Sequence, residues 1–315
     1  MTWPNHTDLG IPPSFFLVGI PGLETAYLLL AFPFCLTYLL ALVGNGIVFF
    51  IIQMEDSLHQ PMYMLLSMLS VVDMGLSSST IPKMLAIFWL GAHDIAFNAC
   101  LTQMFFIHAF TALESGLLVA MAFDRYVAVC NPLRYMAILT GFTIAKLGLA
   151  IITRAVVLLV PLVLMVMHLH FCQTWVIVHS YCEHMAVVKL ACGDTKINSA
   201  YGLVVVALII GFDIVFISFS YFLILGTVFH LPSKDACWKT LGTCSSHICV
   251  ILLFYTPAVF SFLTHRFGHG VAPYIRVLLA SLYLLVPPAL NPIVYAWRTK
   301  PIREKILRVF QLCKT

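Results

Sequence analysis

Charged residues are missing from long intervals of this chain, and the first such interval sets the scale for the rest. No charge occurs between Glu24 and Glu55. An α-helix rises about 1.5 Å per residue and the hydrocarbon core of a bilayer is about 30 Å thick, so roughly 20 apolar residues suffice to cross it. The interval predicts a membrane helix over residues 27–52. Further stretches of the same kind follow at 60–82, 97–123, 142–167, 198–229, 240–263 and 272–296. The pattern predicts an all-α integral membrane protein, a seven-transmembrane helix bundle. After residue 296 the periodicity changes. Ile302, Ile306, Val309, Phe310 and Cys313 share one helical face, and Arg303, Lys305 and Arg308 lie off it. That is a short amphipathic helix resting on the bilayer, with Cys313 a candidate for palmitoylation. The chain divides into an N-terminal segment 1–26, a bundle 27–296 and a tail 297–315. No internal repeat marks a duplicated transporter.

Composition supports the membrane reading. Hydrophobic residues make up 61% and charged residues 10% of the chain. Soluble domains carry about 25% charged residues. The net charge of +4 is not gathered into a basic patch with stacking aromatics, so nucleic acid is not an expected partner. No basic stretch precedes an apolar run within residues 1–26, so a cleavable signal peptide is not predicted. Lys and Arg near the helix ends orient the bundle. With the N-terminus outside, the inner side collects Arg125, Arg134, Lys146, Lys234, Lys239, Arg298, Lys300, Arg303, Lys305, Arg308 and Lys314. The outer side collects the shorter set Lys83, Lys189, Lys196 and Arg266. Residues 1–26 are then extracellular, the tail is cytoplasmic, and the Asn5-His6-Thr7 sequon faces the glycosylated side.

That orientation sorts the cysteines. Cys100, Cys172, Cys182 and Cys192 lie on the oxidising side and suggest two disulfides, with three pairings open by counting. Cys35, Cys130, Cys237, Cys244, Cys249 and Cys313 read as small hydrophobes. His168, His170, His179 and His184 share the long loop between spans four and five, yet their spacing with the cysteines fits no closed zinc pattern. No metal is assigned there.

Ionisable residues inside a membrane are costly and read as functional candidates. Asp73 lies in span two, Glu114 in span three, Arg154 in span four and Asp213 in span five. Asp73 and Glu114 are expected to share a proton or hold a sodium ion, because neighbouring carboxylates in low dielectric do not both ionise unaided. The alternative is hydrogen bonding to Asn45, Asn291 or Ser77 to Ser79. No role is assigned to Arg154 or Asp213. Glu114 and Arg125 are eleven residues apart, about three helical turns, and share a face of span three. Pro257 and Pro292 are hinge candidates in spans six and seven.

Several motifs together resemble a known family. Gly44-Asn45, Asp73, Asp124-Arg125-Tyr126 and Asn291-Pro292-Ile293-Val294-Tyr295 resemble rhodopsin-like G-protein-coupled receptors. Pro61-Met62-Tyr63, the run from Met121 to Tyr135 and the run from Lys239 to His247 look like odorant receptors. Ile20-Pro21-Gly22-Leu23-Glu24, His265-Arg266-Phe267-Gly268 and the run from Val286 to Pro292 are similar to the class I, fish-like group.

The resemblance implies a plasma-membrane receptor for small volatile odorants, carboxylic acids foremost, that activates a stimulatory heterotrimeric G protein and raises cAMP. It implies the pairings Cys100–Cys182 and Cys172–Cys192. It puts Tyr255 where most rhodopsin-like receptors carry Trp. Arg266 is the expected carboxylate ligand, since a guanidinium fork holds a carboxylate through two charge-assisted hydrogen bonds. His108 is expected to assist it, with Gln103, Met104, Leu164, Tyr201, Phe262 and Tyr283 as walls. Asp124, Arg125, Tyr126, Tyr221, His247, Tyr255, Asn291, Pro292 and Tyr295 are expected to carry activation and coupling. Two rival readings remain: a non-olfactory receptor for a small acid metabolite, and an ion or proton transporter using Asp73, Glu114 and Asp213. An odd number of spans and the absence of acidic rings argue against the transporter. No nucleophile–base pair or HExxH motif marks an enzyme.

Overall fold

The computed structural model describes residues 12–172, 174–230, 233–267 and 270–312. Seven of its helices are long and apolar enough to cross a membrane. In order along the chain, the helices are α1 (Tyr27–Met54), α2 (Pro61–Leu90), α3 (Phe97–Cys130), a short α4 (Tyr135–Ile138), α5 (Gly141–Met167), a short α6 (His184–Val188), α7 (Lys196–Val206), α8 (Phe212–Phe229), α9 (Lys234–Phe267), α10 (Pro273–Arg298) and α11 (Lys300–Leu312). A π-helical turn, Ala207–Gly211, joins α7 to α8 into the fifth span.

Local chemistry sets the ends. Pro61 opens α2, where its missing N–H is no loss. Gly91, at φ 61°, closes α2 by turning its N–H back to the carbonyls of Ala86 and Ile87. The Thr140 hydroxyl accepts the Thr143 N–H at 3.2 Å and caps α5. Helices α2, α3 and α9 run past the spans expected from hydropathy. A helix need not stop where lipid stops, and Asp124 and Arg125 sit in α3 beyond the apolar stretch. Pro82 does not end α2 either.

Helix α3 is the axis of the bundle, packing on α2, α5, α8 and α9, while α1 packs on α2 and α10. Large side chains such as Leu29, Phe32, Phe219 and Phe222 stay exposed on the outside. Apolar exposure on that scale belongs against lipid. Lys305 Nζ meets Glu55 Oε2 at 2.5 Å and ties α11 to the turn between α1 and α2. Cys313 and Asn5 lie outside the described residues.

A small sheet departs from the all-helical expectation. Strand β1 (Ser14–Leu17) pairs antiparallel with β2 (Asp94–Ala96) and parallel with β3 (Val176–Ile177). Strands this short carry too few residues for a visible alternation. The sheet seals one end of the bundle, called here the sheet end. Phe15, Leu17 and Ile20 are fully buried there. The Tyr27 hydroxyl accepts the Ile20 N–H at 3.0 Å and lies 2.9 Å from the Val18 carbonyl, to which it donates. Gly19, at φ 89°, is required in this turn, because a side chain there would also collide with Tyr27. Two disulfides lie at the same end, Cys100–Cys182 and Cys172–Cys192, with Cα atoms 5.5 and 5.7 Å apart. These are the pairings that the resemblance implies.

Candidate functional site

Below the sheet end, a cavity of about 420 Å³ opens between α3, α5, α7, α9, α10 and the loop that carries α6. On the fifth span it is lined from Ser199 to Ile210. Ten residues of helix put Ser199 about 15 Å from Ile209 along the axis. Leu159, Val205, Ile209 and Ile210 make an apolar floor. Ile209 and Ile210, both within the π turn, line the cavity. Polar groups line the rest: His108, Glu183, His184, Lys189, Arg276 and Tyr283. Glu183 caps α6 by accepting the Ala186 N–H at 2.6 Å. The His184 ring lies so close to α7 that a Cβ on Gly202 would stand 2.9 Å from its Cε1. Burial holds the His184 imidazole below its ordinary pKa, against the pull of Glu183, so it is neutral at pH 7.

Beneath the floor, Arg154 and Asp213 form a bidentate pair, with Nη1–Oδ1 2.5 Å and Nη2–Oδ2 2.9 Å. Ser115 Oγ donates to Asp213 Oδ2 at 2.6 Å and lies 2.8 Å from the Tyr255 hydroxyl. The single Ser115 proton is committed to the carboxylate, so Tyr255 must be the donor to Ser115. Four spans meet in this network: α3, α5, α8 and α9. A second polar group lies between α2, α3 and α10. Asn291 Nδ2 donates to Asp73 Oδ2 at 3.0 Å and to Glu114 Oε1 at 3.3 Å. Asp73 Oδ1, Glu114 Oε2 and Asn291 Oδ1 are buried there without hydrogen-bond partners. Asn45 Nδ2 donates to the Ala41 and Pro288 carbonyls, both at 2.8 Å, and joins α1 to α10.

At the far end, Tyr135 donates to Asp124 Oδ1 at 2.7 Å, and Arg125 Nε stands 3.8 Å from Asp124 Oδ2. Burial, with Asp124 alongside, pushes the Tyr135 phenol above its ordinary pKa and keeps it a donor. Arg125 Nη2 is buried without a hydrogen-bond partner. The Tyr221 hydroxyl pairs with His247 Nδ1 at 2.8 Å, joining α8 to α9. Tyr126 is half-buried beside Tyr221, and Tyr295 is buried with its hydroxyl 3.8 Å from Met121 Sδ.

The olfactory receptor family profile matches residues 34–313. Human olfactory receptor 52P1 is 55% identical over 311 residues, covering 99% of this chain and 97% of its own. Human olfactory receptor 52D1 is 52% identical, covering 99% of this chain and 98% of its own. The chain belongs to the olfactory receptor family. Squid rhodopsin shares the fold, with a TM-score of 0.74 at 18% identity, over 94% of this receptor and 88% of that protein. Seven apolar helices and this membership make the receptor a multi-pass membrane protein.

The receptor divides its expected ligand residues. His108, Phe262 and Tyr283 line the cavity. Gln103 is used elsewhere: its amide donates to the Ser79 carbonyl and accepts the Cys182 N–H, both at 3.1 Å. Met104 is buried in the core at the sheet end. Leu164 faces outward at 47% exposure. Tyr201 donates to the Leu158 carbonyl at 2.9 Å and ties α7 to α5. Arg266 falls in the last turn of α9, and its side chain lies outside the described residues. Sequence reasoning missed Glu183, Lys189 and Arg276 as cavity residues. Arg276 was within reach, as an ionisable residue inside the predicted span 272–296. Lys189 and Glu183 depend on the path of a long loop.

The Arg154–Asp213 pair yields a stability prediction. Breaking a buried pair from one side costs about 3–5 kcal/mol, whereas replacing both partners is often neutral. Arg154→Met is expected to lower the melting temperature of the purified receptor sharply, and Arg154→Met with Asp213→Leu to recover most of it. Equal losses in the two variants contradict the pairing.

Proposed function

We propose that this receptor binds small carboxylic acids in the cavity and relays binding to a stimulatory G protein, raising cAMP. The carrying observation is the arrangement of cations over an apolar floor. Lys189 and Arg276 line the same cavity as Leu159, Val205, Ile209 and Ile210. An acid head on the cations leaves the alkyl tail over the apolar residues, the usual division of a small-ligand site. Arg266, in the last turn of α9, joins them as the third cation of this reading.

In the proposed orientation the sheet end is extracellular and the far end cytoplasmic. Two disulfides at one end call for the oxidising side, and the Lys and Arg near the other end favour the cytoplasm. The plasma membrane is the expected location. Activation is a population shift that requires tighter ligand binding to the active bundle. Ala258 on α9 lines the cavity one turn from Tyr255, with Pro257 between them. Movement of that turn changes the Tyr255–Ser115 bond, and the lever of α9 carries it to the Tyr221–His247 pair. Release of that pair parts α8 from α9 and opens a cleft beside Arg125 for a G-protein segment.

Asp73, Glu114 and Asn291 fit a sodium ion. Their three unpartnered oxygens form an all-oxygen donor set, which suits a hard cation. Such an ion balances one carboxylate, with the other carboxyl keeping its proton, and holds α2, α3 and α10 together. Replacing choline chloride with sodium chloride at constant ionic strength is expected to raise the melting temperature of the wild type and not of Asp73→Asn. An equal response in both contradicts the site.

A panel of straight-chain fatty acids, scored by cAMP in cells with surface expression controlled, tests the main reading. A hydrogen bond to a charged group contributes about 1.5–3 kcal/mol, or roughly tenfold or more in potency. Arg276→Ala and Arg266→Ala are each expected to lower potency by that factor, and Arg125→Ala to abolish the response. Unchanged potency in both pocket variants rules out the acid reading, and normal coupling in Arg125→Ala rules out the inner switch.

A further inference from the structure

Leu164 faces away from the ligand cavity, but it has company there. Pro161, Leu164, Met165 and His168 of α5 line a second cleft, of about 470 Å³, on the outside of the bundle. Asp194, Ile197 and Asn198 form its other side, where α7 begins. Leu164 and Ile197 are 47% and 73% exposed, so the apolar walls open towards lipid. The polar groups gather at the sheet end. His168 follows the last turn of α5 and stands about 10 Å along the axis from Pro161.

Two links fix the rim. The Cys192 N–H donates to the His170 carbonyl at 2.8 Å. The Cys172–Cys192 disulfide ties the chain just after His168 to the chain just before Asp194. The polar atoms of the rim are therefore held in place before any ligand arrives. His168 Nδ1 lies 2.7 Å from the Leu164 carbonyl. A carbonyl only accepts, so Nδ1 carries the proton, and Nε2 of the neutral ring is an acceptor. Asp194 Oδ1 accepts the Lys196 N–H at 2.9 Å, which leaves most of the acceptor capacity of the carboxylate unused. Asp194 has no ion-pair partner among the described residues. Asn198 is 6% exposed, yet its amide makes no hydrogen bond with a described residue. A buried amide without a partner is uncommon in a folded protein and calls for an explanation.

An anion, a neutral acceptor and an amide meet at the head of an apolar cleft, and no Lys or Arg lines it. Such a rim repels a carboxylate or a phosphate. It suits a head that is positive and donates several hydrogen bonds. We propose that the cleft is a second ligand site, for aliphatic primary amines. The ammonium donates to Asp194, to His168 Nε2 and to Asn198 Oδ1, and the alkyl chain lies against Ile197, Met165, Leu164 and Pro161. No residue of the cleft lines the cavity, so amine and acid bind at separate places.

Full-length receptor in phosphatidylcholine nanodiscs, photolabelled with a diazirine analogue of octylamine and mapped by peptide mass spectrometry, tests this. Label is expected on the α5 and α7 sides of the cleft. Octylamine is expected to displace it at about one tenth of the concentration that 1-octanol needs, the scale of one charge-assisted hydrogen bond. Asp194→Asn keeps an oxygen for the Lys196 N–H, and an unchanged melting temperature shows that the fold is intact. In this variant octylamine is expected to lose its tenfold advantage while 1-octanol displaces as before. Equal displacement by amine and alcohol in the wild type, which needs no variant, overturns the amine site in favour of any amphiphile. An advantage that survives Asp194→Asn, or label absent from the cleft, overturns it as well. Loss of label when phosphatidylethanolamine replaces part of the phosphatidylcholine assigns the cleft to a lipid headgroup and overturns the free amine.

Discussion

A charge carried into a bilayer must bring its partner with it, and in this receptor the bundle is arranged around that requirement. Asp213 is almost wholly buried, and both its oxygens are taken by Arg154, with Ser115 adding a third bond. Neither charge is tolerable alone at that depth. The pair fixes α5 against α8, and Ser115 fixes both against α3. On the other side of α3, Asp73 and Glu114 share the neutral Asn291 amide, and one oxygen of each stays without a hydrogen-bond partner. Helix α3 is thus the polar axis of an otherwise apolar molecule, and the lipid-facing helices are free to be almost uniformly hydrophobic.

The same requirement links the cavity to the far end. The π turn that carries Ile209 and Ile210 of the cavity floor ends just before Asp213. Tyr255 donates to Ser115 from the helix that also supplies Ala258 to the cavity. A ligand in the cavity would lie within one helical turn of the Tyr255–Ser115 hydrogen bond, and Ser115 also bonds Asp213 of the buried ion pair. Tyr255 differs from a tryptophan in this respect: its hydroxyl is part of the network, so a shift of α9 has an electrostatic consequence as well as a packing one.

Much of the bundle was legible in the sequence because lipid imposes one strong rule, an apolar run of sufficient length. Seven spans follow from that rule, and the amphipathic tail follows from the spacing of Ile302 and Ile306. Helix ends were less legible, since hydropathy marks the edge of lipid and not of helix, as Asp124 and Arg125 within α3 demonstrate. The cavity was only partly legible. His108, Phe262 and Tyr283 have depth and residue type in their favour, but Gln103 and Tyr201 have the same credentials and are spent on pinning the loop and α7. Which polar residue faces a cavity depends on rotation about the helix, and the π turn changes that rotation midway through the fifth span. Glu183 and Lys189 belong to a loop whose course is set by two disulfides and a three-stranded sheet, long-range pairings with no local signature. Arg154 and Asp213 were visible as anomalies, yet their partnership is a contact across 59 positions of sequence.

The central claim is that a ligand held at the sheet end drives the far end of α9 away from the rest of the bundle. Spin labels at Phe142→Cys, at the start of α5, and Trp238→Cys, in the first turns of α9, report that movement directly in a background without other exposed cysteines; both native side chains are exposed. Double electron–electron resonance on the receptor in nanodiscs, with octanoic acid and G protein added, is predicted to move the distance distribution to longer values, and to leave it unmoved in Tyr255→Phe. A distribution that stays fixed in the wild type while the acid is bound contradicts the account.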